Sequence, residues 1–338
     1  MRNLFDPRPK SSRSELYDRA EELALLDKHV DKPLIVVLGV RRIGKTSLVK
    51  SFLEPYDGLY VDMRGAATRA DLYRRLSEGL SEGIGKLRRL LESIRGIRVG
   101  EFGVEIKWKG VDSISFLGLL EELNRRGRFV VAIDEIQEAK PPLSAELRTA
   151  LAYAYDHLDN ITIVLSGSEL RLLRSFMGVE DPGSPLYGRY FVEVDVRRFA
   201  REESLDFLRI GFRQEGVEPP PDVLEEAVDF FDGIPGWLVS FGRAYVDGVR
   251  DVDAIKERAI SIALDELGRL SAREKAVLKA IAEGARTWGQ VRRYVEERLG
   301  EAIPKSTLTR IIEKLESLSI IKDYEFLDGV YREAAKRL

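Results

Sequence analysis

The residues Gly39-Val40-Arg41-Arg42-Ile43-Gly44-Lys45-Thr46 match the spacing GxxxxGK[ST] in full. The chemistry that this spacing suits is capture of a polyphosphate. Gly39 and Gly44 let the main chain curl so that successive amides and a helix N-terminus face an anion. Lys45 is long enough to reach the β- and γ-phosphates of ATP, and the Thr46 hydroxyl is a ligand for Mg²⁺. Val40, Arg41, Arg42, Ile43 and Ser47 complete the cradle for ATP or ADP. A glycine turn bearing a solvated lysine is the competing reading. The flanks argue against it, because a buried run precedes the loop and a helical run follows.

A second pair of residues suits hydrolysis. Asp134 and Glu135 follow the apolar run FVVAI. Asp134 is expected to hold Mg²⁺ through a water, and Glu135 to orient and polarise the attacking water. Outside the context of the loop, the same pair would read as a helix cap. In LSGSE, at 165–169, Ser166 or Ser168 is expected between the two motifs, where it can touch the γ-phosphate or the water. Either serine would serve equally as a helix cap.

Composition narrows the remaining options. The chain has 338 residues, no cysteine and only two histidines, His29 and His157. Disulfides and thiol catalysis are excluded, and histidine-based metal chemistry is disfavoured. Charged residues make up 33%, while asparagine and glutamine are scarce, which fits a thermophilic source. No run is long and apolar enough for a membrane span, and the first residues lack a signal-peptide core. The expected location is cytoplasmic. Net charge is −3, yet residues 269–338 carry 15 Lys/Arg and 11 Asp/Glu, a basic end on an acidic protein.

The elements that must position these groups are legible as alternation. Helical spacing over 15–30 leads to LIVVLG, a strand buried on both faces. A helix, TSLVKSFL, follows the loop, then a strand at 58–63 and one helical stretch from Asp71 to Ile94. Residues 97–108 alternate as a hairpin with a turn near Gly100 to Gly103. A helix near 113–126, a strand FVVAID, a helix at 143–157, and strands at 161–167 and 190–196 complete the pattern. Strands alternating with helices predict an α/β core, a doubly wound, largely parallel sheet. The expected division is a core over 1–198, a helical region over 199–268, and a third part over 269–338.

The order of the loop, IDEIQ, LSGSEL, PLYGR and DGIPGWL resembles the archaeal ATPase family of AAA-type and STAND-type P-loop proteins. More distantly it resembles archaeal origin-recognition proteins. The resemblance implies an AAA-type ATPase core, a helical lid and a C-terminal winged helix. It implies that Tyr17 and Arg19, in the lead-in Tyr17-Asp18-Arg19-Ala20-Glu21-Glu22-Leu23, lie near the adenine; Ala20 stands where an acidic residue is usual. Arg189 is implied to sense the γ-phosphate, in cis or from a neighbouring subunit, with a surface ion pair as the competing reading. Pro235 is implied to report nucleotide to the lid.

Residues 271–338 resemble a winged helix, with Lys305 to Leu318 as the recognition helix. Leu308, Ile311, Ile312 and Leu315 would face the core, while Lys305, Ser306, Thr307, Thr309, Arg310 and Lys314 would face a DNA groove. Tyr324 to Tyr331 would form the wing, turning at Asp328-Gly329. The expected function is a slow, Mg²⁺-dependent ATPase switch that acts on duplex DNA. The alternative is a regulatory ATPase whose winged helix binds a protein partner or a second copy.

Overall fold

The computed structural model describes residues 3–101, 103–168, 170–179 and 181–338. The core elements in chain order are α1 (Ala20–Lys28), β1 (Leu34–Leu38), α2 (Lys45–Phe52), β2 (Gly58–Asp62), α3 (Arg69–Glu82), α4 (Ile84–Glu92), β3 (Ile97–Val99), β4 (Val104–Ile106), α5 (Phe116–Asn124), β5 (Phe129–Asp134), α6 (Leu143–His157), β6 (Ile161–Gly167), α7 (Leu170–Met177) and β7 (Val192–Asp195). Five strands form one parallel sheet in the order β2-β5-β6-β1-β7. Every residue of β1, β5 and β6 is buried, as the continuous apolar runs require of strands covered on both faces.

Strand alternation sorts these residues into two cores. Val36, Val131 and Ile163 pack on one face with α3 and α5, while Ile35, Val130 and Val164 pack on the other with Leu48 and Phe52 of α2. The chain crosses over between β1 and β6, so the loops after β1, β5 and β6 open at one edge of the sheet. That edge is where ligands bind in such folds. Asp134 pairs in register with Ser166, and Leu38 with Gly167, so the three loops start at one level.

The expected single helix from Asp71 to Ile94 is two helices, α3 and α4, meeting at Gly83. A glycine inside a helical run weakens it and serves as the end of one helix and the start of the next. The hairpin at 97–108 is present as antiparallel β3 and β4, with Val99 opposite Val104. Phe102, in its turn, lies outside the described residues.

Beyond the sheet come α8 (Arg201–Gln214), α9 (Pro221–Phe231), α10 (Pro235–Val246), α11 (Val252–Leu267), α12 (Ala272–Ala282), α13 (Trp288–Leu299), α14 (Lys305–Ser317), β8 (Ile321–Lys322), β9 (Glu325–Phe326) and α15 (Gly329–Ala335). One apolar cluster runs unbroken through both groups of helices, from Phe199 through Trp237 and Leu278 to Ala335. It also takes in Leu4 and Phe5 from the N-terminus. In α14 the predicted stripe of Leu308, Ile311, Ile312 and Leu315 is buried.

The wing differs from the sequence-based expectation. The hairpin is β8–β9, with its turn at Asp323 and Tyr324, whose φ values of 50° and 62° are both positive. Asp328-Gly329 does not turn a hairpin. Asp328 caps α15 by accepting from the Val330 amide, and its other oxygen accepts from the Trp237 indole at 2.8 Å. A buried tryptophan N–H needs an acceptor, and that tertiary demand overrides the local Asp-Gly turn signal.

Two glycines of the DGIPG segment fix where α10 begins. Gly233 has φ +69°, and a Cβ there would lie 2.0 Å from the Phe199 carbonyl oxygen. A Cβ at Gly236 would lie 2.7 Å from that of Arg42. Gly233→Ala should therefore destabilise the protein by about 2 kcal/mol or more, since strain and clash combine. Thermal unfolding should show a clear fall in Tm; an unchanged Tm would contradict the packing described.

Candidate nucleotide site

The turn after β1 carries three residues with positive φ: Gly39 at 155°, Arg42 at 62° and Gly44 at 100°. These conformations curl the loop and set Gly44 at the N-terminus of α2. Lys45 is buried and folds back on its own loop. Its Nζ donates to the carbonyls of Gly39 at 2.7 Å and Val40 at 2.9 Å. Burial pulls its ammonium down to about 8, against the pull of the Glu135 and Asp134 carboxylates.

Asp134 is almost fully buried and accepts three hydroxyls. Thr46 and Tyr60 donate at 2.7 Å each, and Ser166 at 2.5 Å. The buried Tyr60 hydroxyl is pushed well above the ordinary phenol range by burial and by the Asp134 charge. Glu135 leaves the strand with φ +51° and turns into the cavity. The Ser168 amide and hydroxyl both donate to it at 3.1 Å, and so does the Gln137 side-chain amide. The two serines thus divide the work: Ser166 is buried on Asp134, while Ser168 holds Glu135 at the cavity wall. Glu169 lies outside the described residues.

The cavity over the loop has a volume of about 850 Å³. Lys45, Thr46, Ser47, Glu135, Ser168 and Pro235 line it, together with Arg41, Arg42 and Gly44. The sequence thus brings residues of both motifs and the start of α10 to one cavity. Thr46 and Asp134, hydroxyl beside carboxylate, are a donor set that suits Mg²⁺, which takes few protein oxygens and keeps waters and phosphate oxygens.

Other candidates stand elsewhere. Tyr17 does not line the cavity; its hydroxyl bonds Asp206 at 2.9 Å and its ring packs on Phe199 and Phe207. Arg19 stands behind the loop, donating to the Ile43 carbonyl at 3.3 Å and the Arg197 carbonyl at 2.9 Å. Its burial lowers its pKa. Arg189 is on the surface, paired with Asp156, and lines no part of the cavity. On α14, Lys305, Ser306, Thr309 and Arg310 are exposed and Thr307 is half-buried. Lys314 is held by Glu274 at 2.6 Å. The helix lies beside α7 of the core.

Sequence reasoning missed the segment Asp6-Pro7-Arg8-Pro9-Lys10, which forms a wall of the cavity. Lys10 donates its amide to Ser47 Oγ at 3.1 Å. The segment is anchored by Phe5, which presses against α8 and α10 where Gly211 and Gly242 leave room. The run of prolines and basic residues marks an extended cationic strand, but nothing local says where it lies. Also missed were Arg258 and Arg269, which reach the cavity from α11 and its end. Among the described residues neither has an ion-pair partner.

The chain is similar to known proteins along its whole length. A family model described as an ATPase domain predominantly from Archaea matches residues 16–241. A second, the MCM protein C-terminal winged helix-turn-helix domain, matches residues 270–334. Among solved structures, a Walker-type ATPase of Pyrococcus abyssi is 33% identical, with 99% of this chain and 100% of that chain covered and a TM-score of 0.85. The ORC2 protein of Aeropyrum pernix in its ADPNP–ADP complexes is 17% identical, covering 99% and 96%, with a TM-score of 0.62. Its ADP form is 18% identical, covering 94% and 90%, with a TM-score of 0.55. At such identities the ORC2 likeness speaks for the fold alone. No curated protein gives a significant match. Among the described residues no helix is long and apolar enough to cross a membrane.

The depressed Lys45 gives this site a pH signature. A phosphate raises the lysine's pKa on binding. Below about pH 8 the lysine is already charged, so affinity for ADP should be flat. Above that, binding must take up a proton, and affinity should fall by up to about tenfold per pH unit. Calorimetry in buffers of different ionisation heats measures that uptake directly. Lys45→Ala should abolish tight binding together with the pH dependence, whereas a flat affinity in the parent at alkaline pH would contradict the assignment.

Proposed function

This chain belongs to the ATPase family found predominantly in Archaea, and we propose that it is a slow, Mg²⁺-dependent ATP hydrolase whose nucleotide state governs its C-terminal winged helix. The observation that carries this reading is the convergence of Lys45, Thr46, Glu135 and Ser168 on one cavity, with Asp134 buried behind Thr46 and bonded to its hydroxyl. In the proposed mechanism the loop amides and Lys45 hold the phosphates. Thr46 and Asp134 would hold Mg²⁺, which would supply positive charge to the phosphates. Glu135 accepts a proton from the attacking water, and Ser168 fixes that carboxylate. Of the cations at the cavity, Arg258 and Arg269 are better placed than Arg189 to face the phosphates within one chain. The proposed division is a core over 1–198, a lid over 199–268 and a winged helix over 269–338.

We further propose duplex DNA as the partner of the winged helix. Support comes from the basic balance of residues 269–338 and the exposed Lys305 and Arg310. The pairing of Lys314 with Glu274, and α7 beside α14, favour the second reading, a protein partner.

Glu135→Gln should bind ATP as the parent does and lose about 10²-fold in kcat. A loss within about threefold, far below that usual for a missing base, would remove Glu135 from the chemistry. Binding of a labelled duplex, followed by anisotropy, should be weak and fall steeply with salt. Lys305→Glu with Arg310→Glu should weaken it on all sequences, and Lys314→Glu should do less, because Lys314 is already paired. No binding at low salt, with either ADP or an ATP analogue, would turn the reading to a protein partner.

A further inference from the structure

The second arginine of the phosphate loop reaches out to the helices beyond the sheet. The Arg42 guanidinium lies over the Trp237 ring, 4.1 Å from its centroid. It donates to Glu266 at 2.7 Å and to the Tyr331 hydroxyl at 3.3 Å. The Tyr331 hydroxyl donates in turn to Glu266, and Arg41 reaches the same carboxylate at 3.2 Å. Trp237 is fixed from its other edge by Asp328, the cap of α15. Arg42 also binds through its main chain, its carbonyl accepting the Gly236 amide at 2.9 Å. Four separate stretches of chain meet here: the loop, the start of α10, the end of α11, and α15.

The arrangement has a mechanical meaning. Arg42 holds φ +62°, a conformation unfavourable for a residue with a Cβ and sustained only by its surroundings. That conformation is part of the curl of the loop. The groups sustaining it lie outside the core, and two of them, Tyr331 and Asp328, belong to the C-terminal module. Burial pushes the Glu266 carboxyl up, but the hydrogen bonds from Arg42 and Tyr331 outweigh it and hold it below the ordinary carboxylate range.

We infer that Glu266 and Tyr331 are positioning residues for the phosphate loop, a clasp through which the docked C-terminal module sets nucleotide affinity and nucleotide in turn tightens docking. The inference rests on the reading of the loop as the nucleotide site. Coupling between two binding events is reciprocal, so it can be read from either end.

The test uses the full chain and ADP. Glu266→Gln and Tyr331→Phe should each weaken ADP binding roughly fivefold or more, with Tm recorded to verify folding. The sign for Glu266→Gln is decisive. Loss of a negative charge beside the loop would by itself tighten the binding of an anion, whereas loss of positioning weakens it. The double variant should cost little more than either single change, because the two residues act on one arginine. In the parent, ADP should slow amide hydrogen exchange in α15; in Tyr331→Phe that protection should vanish. If Glu266→Gln fails to fold, Tyr331→Phe carries the test alone. Parent-like affinity in the folded variants, or tighter binding in Glu266→Gln, would overturn the clasp. Failure of the parent to bind ADP would instead overturn the site itself, and the clasp with it.

Discussion

A single buried carboxylate ties together the sheet edge that carries the candidate site. Asp134 sits inside the sheet edge, where an ionised group without partners would cost several kcal/mol. Three hydroxyls satisfy it, and each arrives on a different element: Thr46 on α2, Tyr60 on β2 and Ser166 on β6. The register of both neighbouring strands and the placement of α2 are thereby linked to one side chain. The same carboxylate accepts the Thr46 hydroxyl, so one hydrogen bond joins the two residues proposed to hold Mg²⁺.

The second half of the molecule is organised by apolar packing. Its core runs through both sets of helices and takes in Phe5 at the far N-terminus. Two places connect it to the phosphate loop. The strap of residues 6–10 leads from Phe5 to Ser47, and Gly236 docks on Arg42. Both contacts require something without bulk: room at Gly211 and Gly242 for the phenyl ring, and no Cβ at Gly236. The loop is therefore clamped between the sheet edge, through Thr46 and Asp134, and helices that hold its outer side.

The sequence was most legible where the physics is local. The strand, loop and helix around the glycine spacing and the apolar runs of β1, β5 and β6 needed only neighbouring residues to interpret. The stripe of α14 was legible for the same reason, since helical periodicity decides which face is buried. Legibility failed where a partner distant in sequence chooses between local options. Asp328-Gly329 satisfies the rule for a hairpin turn and the rule for a helix cap; the Trp237 indole selects the cap. The contacts of Tyr17 with Asp206 and of Arg19 with the Ile43 and Arg197 carbonyls likewise depend on partners distant in sequence. The Pro-rich strap carried no periodicity, and its course depends on a phenylalanine that finds its slot in the lid.

Lys45 is held by carbonyls of its own loop and Thr46 by Asp134, and on the proposed reading phosphate and metal take over those contacts. A crystal structure with Mg²⁺ and a non-hydrolysable ATP analogue tests this most directly. The account predicts the triphosphate within the loop, with Lys45 Nζ moved from the Gly39 and Val40 carbonyls onto phosphate oxygens, and Thr46 Oγ1 moved from Asp134 onto the metal. A nucleotide bound elsewhere would contradict it, as would one bound at the loop with Lys45 still on those carbonyls.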